Sequence, residues 1–303
     1  MPFVRHRLIA VLVTFLLGAG ACANESDTQP AAPAPAAAPT SSSTVASSDP
    51  PVDGSALVTV WPADATPFRA NDPARLTVEV VRLLSHDSNA FTQGLELIGG
   101  GLYESTGLYG ESTLRRVDID SGEVLFSTPL DPSLFGEGIT RVGDTLIQLT
   151  WREETALRWR LSDLTPLEPF TYQGEGWGIC TLDDVVVTSD GSNVLKHRDP
   201  EDFSVIASIP VLLDGEEVSE LNELECVDGL VLANVFGSDF IVVIEPTTGG
   251  IVATIDASPL NAVVDRPAES TAVLNGIADL GDGSLLLGGK LWPHHVVVRL
   301  VAA

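Results

Sequence analysis

FGEGITRVGDTLIQLTW, residues Phe135 to Trp151, decides the reading of this chain. A short β-forming run meets Gly143-Asp144, the residue types of a tight turn, and a second run follows that reaches Gln148 and Trp151. That is the pattern of a hairpin. Glu137 stands between Gly136 and Gly138 where the first strand begins. A carboxylate flanked by glycines, with an aromatic ring and an indole nearby, is a candidate acid–base group.

The pattern recurs on both sides. FTQGLEL from Phe91, EGWGICT from Glu175, LNELECV from Leu221 and LNGIADL from Leu274 align with FGEGITR on their fourth residues, Gly94, Gly178, Leu224 and Ile277 beside Gly138. The intervals are roughly 40 to 50 residues, the length of a four-stranded propeller blade. Each anchor is followed by a turn and a second strand. A third and fourth strand then meet at turn signals such as Asp120-Ser121-Gly122, Asp199-Pro200 and Thr247–Gly250. The last repeat stops after its third strand, HHVVVRL, while an extra strand, LTVEVVRLL at Leu76–Leu84, precedes the first. The expectation is an all-β fold, a five-bladed β-propeller over residues 76–303. Its ring is closed by the N-terminal strand completing the last blade, which removes an open sheet edge.

The chain ahead of that domain has a different character. Residues 1–22 carry Arg5, His6 and Arg7, then the apolar run Leu8–Leu17, then small residues up to Cys22. This is the layout of a secretory signal, and the run is too short to span a membrane. Ala19-Gly20-Ala21-Cys22 resembles a bacterial lipoprotein cleavage box with Ala where Leu is usual, which makes Cys22 the candidate lipidation site. Residues 23–75 form a tether and lead-in. Asn24–Pro50 is almost wholly Ala, Pro, Ser and Thr and cannot bury enough apolar surface to offset its ordering entropy. Pro51–Arg75 reads as a loose lead-in with Trp61 its one strong anchor. The expected setting is the cell envelope or the outside of the cell, with a lipid anchor at Cys22 and a monomeric domain held off the surface.

A formal net charge of -26 and a pI near 4.2 argue against a nucleic-acid partner and for solubility. Besides Cys22 there are Cys180 and Cys226, each two residues past its anchor in consecutive repeats. In an oxidising compartment a disulfide and a pair of buried thiols both remain open. No Cys/His spacing resembles a zinc site, and no cofactor is expected.

Inner propeller strands begin near the central channel, where ligands bind. The residues ahead of the anchors, Gln93, Glu137, Trp177, Asn222, Glu223 and Asn275, should gather at one mouth. The ends of the second strands, Tyr109, Trp151, Asp190, Phe236 and Lys290, return toward it. By residue type and spacing alone, Glu137 is more often a hydrogen-bonded turn residue, Lys290 a solvated lysine, and Trp151 and Trp177 core indoles.

SHDSNAFTQGLEL, FGEGIT, QLTWRE, GEGWGI, SDGSNVL, LNELECVDGLVLANVF, LNGIA and GKLWP, in unbroken order across roughly Val80–Pro293, resemble the glutamine cyclotransferase family of the plant and bacterial type. The resemblance implies a five-bladed propeller. It also implies conversion of the N-terminal glutamine of peptides to pyroglutamate with release of ammonia, as a glutaminyl-peptide cyclotransferase does. It assigns Glu137 the catalytic acid–base role. Lys290 and Asn222 become catalytic partners, with Phe91, Gln93, Phe135, Trp151, Trp177 and Phe236 binding substrate. Phe236 departs from the family's usual Trp, which bears on substrate preference. Two other classes stay in view. One is a metal-dependent lactonase-like propeller with Glu137, Asn222, Asn275 and Asp190 as an oxygen cage, although Lys290 there would repel the ion. The other is a ligand-binding propeller without catalysis.

Overall fold

Short runs of Val, Ile and Leu punctuated by Gly, Asp and Pro become strands. The computed structural model describes residues 59–65 and 68–303. The export signal, Cys22 and the Ala/Pro/Ser/Thr tether lie outside the described residues. After β1 (Ala74–Ser85), four strands form an antiparallel sheet in chain order: β2 (Thr92–Ile98), β3 (Gly101–Thr106), β4 (Thr113–Val117) and β5 (Val124–Pro129). The meander repeats as β6 (Gly136–Val142), β7 (Thr145–Thr150), β8 (Thr155–Arg160) and β9 (Pro166–Thr171). It repeats again as β10 (Ile179–Leu182), β11 (Val185–Thr188), β12 (Val194–Arg198) and β13 (Val205–Pro210). A small hairpin that the sequence did not announce follows, β14 (Leu212–Leu213) with β15 (Glu216–Glu217).

The remaining strands are β16 (Leu221–Val227), β17 (Leu230–Val235), β18 (Phe240–Ile244), β19 (Ile251–Asp256), β20 (Leu274–Asp279), β21 (Leu285–Gly289) and β22 (His294–Ala302). With β1 they make an eight-stranded sheet in the order β16-β17-β18-β19-β1-β22-β21-β20. β1 runs antiparallel to β22 from Leu76 opposite Ala302 to Ser85 opposite His294. Its first residues, Ala74–Thr77, also pair in parallel with Ala253–Asp256 of β19. These small antiparallel sheets around a buried apolar interior are a propeller-like, all-β arrangement.

The hairpin read from Phe135–Trp151 forms as β6 and β7, with Val142 opposite Thr145 and Gly143 supplying a φ of 57° at the turn. The inner strands approach so closely that a Cβ on Gly138 would lie 2.8 Å from the Trp177 carbonyl oxygen, and one on Gly178 2.0 Å from that of Asn222. Cys180 on β10 and Cys226 on β16 are joined in a disulfide across consecutive repeats. The lead-in is not loose throughout: Val60 and Trp61 are buried in the main apolar cluster, and Trp61 meets Phe68 edge-on at 5.0 Å. Burying an indole there removes a large apolar area from water, which holds this stretch against the domain.

Candidate functional site

Four inner strands lose register in their first residues. The ladder shifts between Thr92 and Gly94, Gly136 and Ile139, Leu221 and Leu224, and Leu274 and Ile277. Each shift is a β-bulge, which re-aims side chains that strict alternation would send elsewhere. The bulges carry Gln93, Glu137, Asn222 and Asn275. The bulged ends of these strands are buried, so the bulges gather these polar side chains at one end of the inner strands.

Every catalytic and substrate-binding candidate from the sequence lines one cavity of about 300 Å³: Phe91, Gln93, Phe135, Glu137, Trp151, Trp177, Asn222, Phe236 and Lys290. Leu108 is the one lining residue that sequence reasoning missed. It sits in the loop after β3 with a φ of 90°, and nothing in its composition signals it. An apolar wall with a few convergent polar groups is what a small-ligand site requires. Phe135 packs on Trp151 at 5.5 Å and edge-on to Phe91 at 6.2 Å, and Trp177 meets Phe236 edge-on at 5.8 Å.

Two opposite charges face this wall. Glu137 is 5% exposed and so is Lys290. Burial pushes the Glu137 carboxyl well above the usual carboxylate range; Lys290 opposes the shift, and Glu175 and Glu153 add to it. Burial pushes the Lys290 ammonium down to about 8 against the pull of Glu137. Among the described residues no ion pair joins them. Instead Lys290 Nζ sits over the Phe91 ring at 4.9 Å and the Phe236 ring at 5.1 Å, two cation–π contacts. The phenyl ring of Phe236 thus still presents a face to the cation. Gln93 Nε2 donates to Glu137 Oε1 at 3.2 Å, and Asn275 Nδ2 donates to Gln93 Oε1 at 3.1 Å and to the Thr92 carbonyl at 3.0 Å. Asn275 therefore orients the Gln93 amide with its NH2 toward the carboxylate.

Three polar residues expected at the mouth act elsewhere. Asp190 is held by Lys196 Nζ at 2.7 Å and by Ser192, and does not line the cavity. Glu223 lies below it, fully buried, accepting the backbone N–H groups of Leu95 at 3.3 Å and Ile277 at 2.9 Å and so tying three inner strands together. Tyr109 is largely exposed; its ring borders Phe135 and its hydroxyl donates to Glu153. With Asp190 held by Lys196 and Ser192 away from the cavity, the four-residue oxygen cage of a calcium-type site is not assembled here.

Among the described residues, His86, Glu104 and His295 bring metal-type donor atoms within 4.8 Å of one another. Glu104 is already saturated: Oε1 accepts Thr92 Oγ1 at 2.7 Å and His86 Nε2 at 2.9 Å, and Oε2 accepts Arg115 Nε at 3.0 Å and Nη2 at 2.9 Å. A carboxylate with four donors has no lone pair left for an ion, so this group is an ion-paired structural cluster.

The family described as glutamine cyclotransferase matches residues 55–300. A glutaminyl-peptide cyclotransferase of Arabidopsis thaliana is 39% identical over 230 residues, covering 75% of this chain and 72% of that protein. The crystal structure of Myxococcus xanthus glutaminyl cyclase superposes with a TM-score of 0.73 at 37% identity, covering 77% of this chain and all of that one.

Proposed function

The chain belongs to the glutamine cyclotransferase family and is a glutaminyl-peptide cyclotransferase, and from that premise we propose that the cavity takes the N-terminal glutamine of a peptide, with Glu137 moving the proton and Lys290 stabilising the developing oxyanion. The α-amine attacks the side-chain amide carbon, a five-membered lactam closes, and the amide nitrogen leaves as ammonia. Nucleophile and electrophile share one molecule, so the site must fold the substrate and move protons. The aromatic walls fold it. Glu137 takes a proton from the attacking nitrogen and returns one to the departing nitrogen. Burial raises the carboxyl's affinity for a proton, which makes it a better base for the attacking nitrogen than an ordinary carboxylate. Lys290, still mainly an ammonium below about pH 8, donates to the amide oxygen as negative charge gathers there. Gln93 and Asn222 add neutral hydrogen-bonding groups. The reaction requires no electron carrier and no cofactor.

The observation that carries this reading is a buried carboxyl and a buried ammonium sharing one apolar cavity without pairing to each other. The test is ammonia release from glutamine-initiated dipeptides. Glu137→Gln keeps the shape of the side chain but cannot accept the proton, so turnover should fall by about 10²–10⁴. Near-normal turnover in a folded Glu137→Gln protein removes Glu137 from the mechanism.

We read the eight-stranded sheet as two blades meeting where β19 adjoins β1. That makes a ring of five in which β1 completes the last blade over residues 76–303. The long antiparallel register of β1 with β22 supports this, as does the four-strand meander seen three times in the separate sheets. For the remainder of the chain, the residue pattern of 1–22 supports export with lipidation at Cys22, and the composition of 23–50 supports a tether carrying a monomeric domain at the envelope or beyond.

A further inference from the structure

Aligned on the repeat, the first position is Phe91, Phe135, Leu221 and Leu274 in four repeats and Glu175 in the other. A carboxylate thus stands where the remaining inner strands place an apolar side chain, and its geometry accounts for the exchange. Glu175 Oε2 accepts the indole N–H of Trp151 at 2.8 Å and that of Trp177 at 3.0 Å. Its other oxygen accepts Arg152 Nε at 2.9 Å, and the Arg152 guanidinium lies 3.7 Å over the Trp151 ring. Trp151 ends the second strand of one repeat and Trp177 opens the next, so one carboxylate oxygen joins two walls of the cavity across a repeat boundary. Among the described residues no other hydrogen bond holds either indole N–H. Two-donor hydrogen bonding to a charged acceptor fixes the ring planes more firmly than van der Waals contact alone.

We propose that Glu175 is the positioning residue of the glutamine pocket, setting the angle between the Trp151 and Trp177 indoles and hence the fit of the substrate side chain between them. The proposal rests on the cyclisation reading of the cavity. Glu175 touches no reacting atom; it meets the substrate through the two rings, and its charge adds to the shift at Glu137 only behind burial, so its removal should weaken substrate binding before it slows chemistry. Its side chain is 36% exposed, so replacing it leaves no buried cavity and the domain should still fold.

Two variants and two measurements test this. In Glu175→Ala both indole N–H groups lose their acceptor. KM for a glutamine-initiated dipeptide should rise about tenfold or more, with kcat within about threefold of wild type. In 1H–15N spectra the Trp151 and Trp177 indole signals should move upfield and exchange faster with solvent. In Glu175→Gln the amide oxygen can accept both N–H groups while Arg152, on the surface, turns away. KM and both indole signals should then return close to wild type. Unchanged KM with unmoved indole signals in Glu175→Ala overturns the proposal. So does a loss confined to kcat, or a Glu175→Gln no better than Glu175→Ala. The spectra keep the two readings apart: a wild-type protein that releases no ammonia refutes cyclisation, while the indole signals still decide whether Glu175 holds the walls.

Discussion

Glu137 and Glu104 are both buried glutamates, yet their surroundings drive them in opposite directions. Around Glu104 burial favours the neutral acid and loses to His86 and Arg115, which hold the carboxyl below the usual range. Around Glu137 burial wins, because its one amide donor lies at 3.2 Å and the Lys290 charge acts only across the cavity. Both are buried, so the cations hydrogen-bonded to the carboxylate, His86 and Arg115 at Glu104 and none at Glu137, decide its state. A structural glutamate is satisfied at rest. A working one keeps unused hydrogen-bonding capacity that the substrate's nitrogens can fill.

The two regions also touch. His86 Nδ1 lies 2.6 Å from the Trp292 carbonyl oxygen and Nε2 lies 2.9 Å from Glu104. Both neighbours are acceptors, so both ring nitrogens carry hydrogen and His86 is an imidazolium. Burial works against that charge, and Glu104 with the Trp292 carbonyl outweighs it, raising the His86 pKa. His295 stacks on His86 at 3.9 Å and is pushed down to about 3 by burial and by the His86 charge, so it stays neutral. The hydrogen-bond chain from Glu104 through His86 to the Trp292 carbonyl therefore pins the backbone two residues beyond Lys290, whose cation sits over the pocket.

The same exchange at both glutamates should separate the regions most sharply. Glu104→Gln leaves Arg115 and His86 as buried charges short of a partner and should cost about 3–5 kcal/mol in urea unfolding. Glu137→Gln puts a neutral amide where burial already disfavours charge and should leave stability at or above wild type. Equal losses at the two positions would break the comparison. Lys290→Ala should lower turnover by about 10²–10³, the scale for one oxyanion donor, with the melt close to wild type. If it unfolds the protein instead, Lys290 belongs with the structural cluster.

The smallest effect is a slope in pH. Above pH 6.5 the unfolded chain loses a histidine proton that folded His86 keeps. Its contribution is thus complete below pH 6.5 and fades as pH rises through the raised folded value. His86→Gln should flatten stability across that window relative to wild type, and an unchanged slope would mean that His86 is neutral in the fold.

The comparison also explains what the sequence could disclose. The working side is written in repeats: the residues beside the anchors fall in bulges of aligned strands, so Gln93, Glu137 and Asn222 could be gathered by position alone. The satisfied side leaves no local trace. His86, Glu104 and Arg115 come from a loop and two strands, β3 and β4, and β3 is buried along its length, so Glu104 looks like an interruption in an apolar run. Asp190 was expected at the mouth by the same positional rule, but a lysine six residues later takes it. The parallel pairing of β1 with β19 joins residues far apart in the chain and has no periodic signature. Glu175 was visible as a repeat position, but its hold on two indoles is a fact of three dimensions.

The most direct test is to follow the side-chain carboxyl carbons of Glu137 and Glu104 by 13C NMR in the substrate-free wild-type domain from pH 4 to pH 9, with single Glu→Gln variants to assign them. Glu137 should titrate with a midpoint well above 4.5, and Glu104 should remain ionised throughout. A Glu137 midpoint at or below 4.5, or a Glu104 that titrates within that range while the fold persists, would contradict the account.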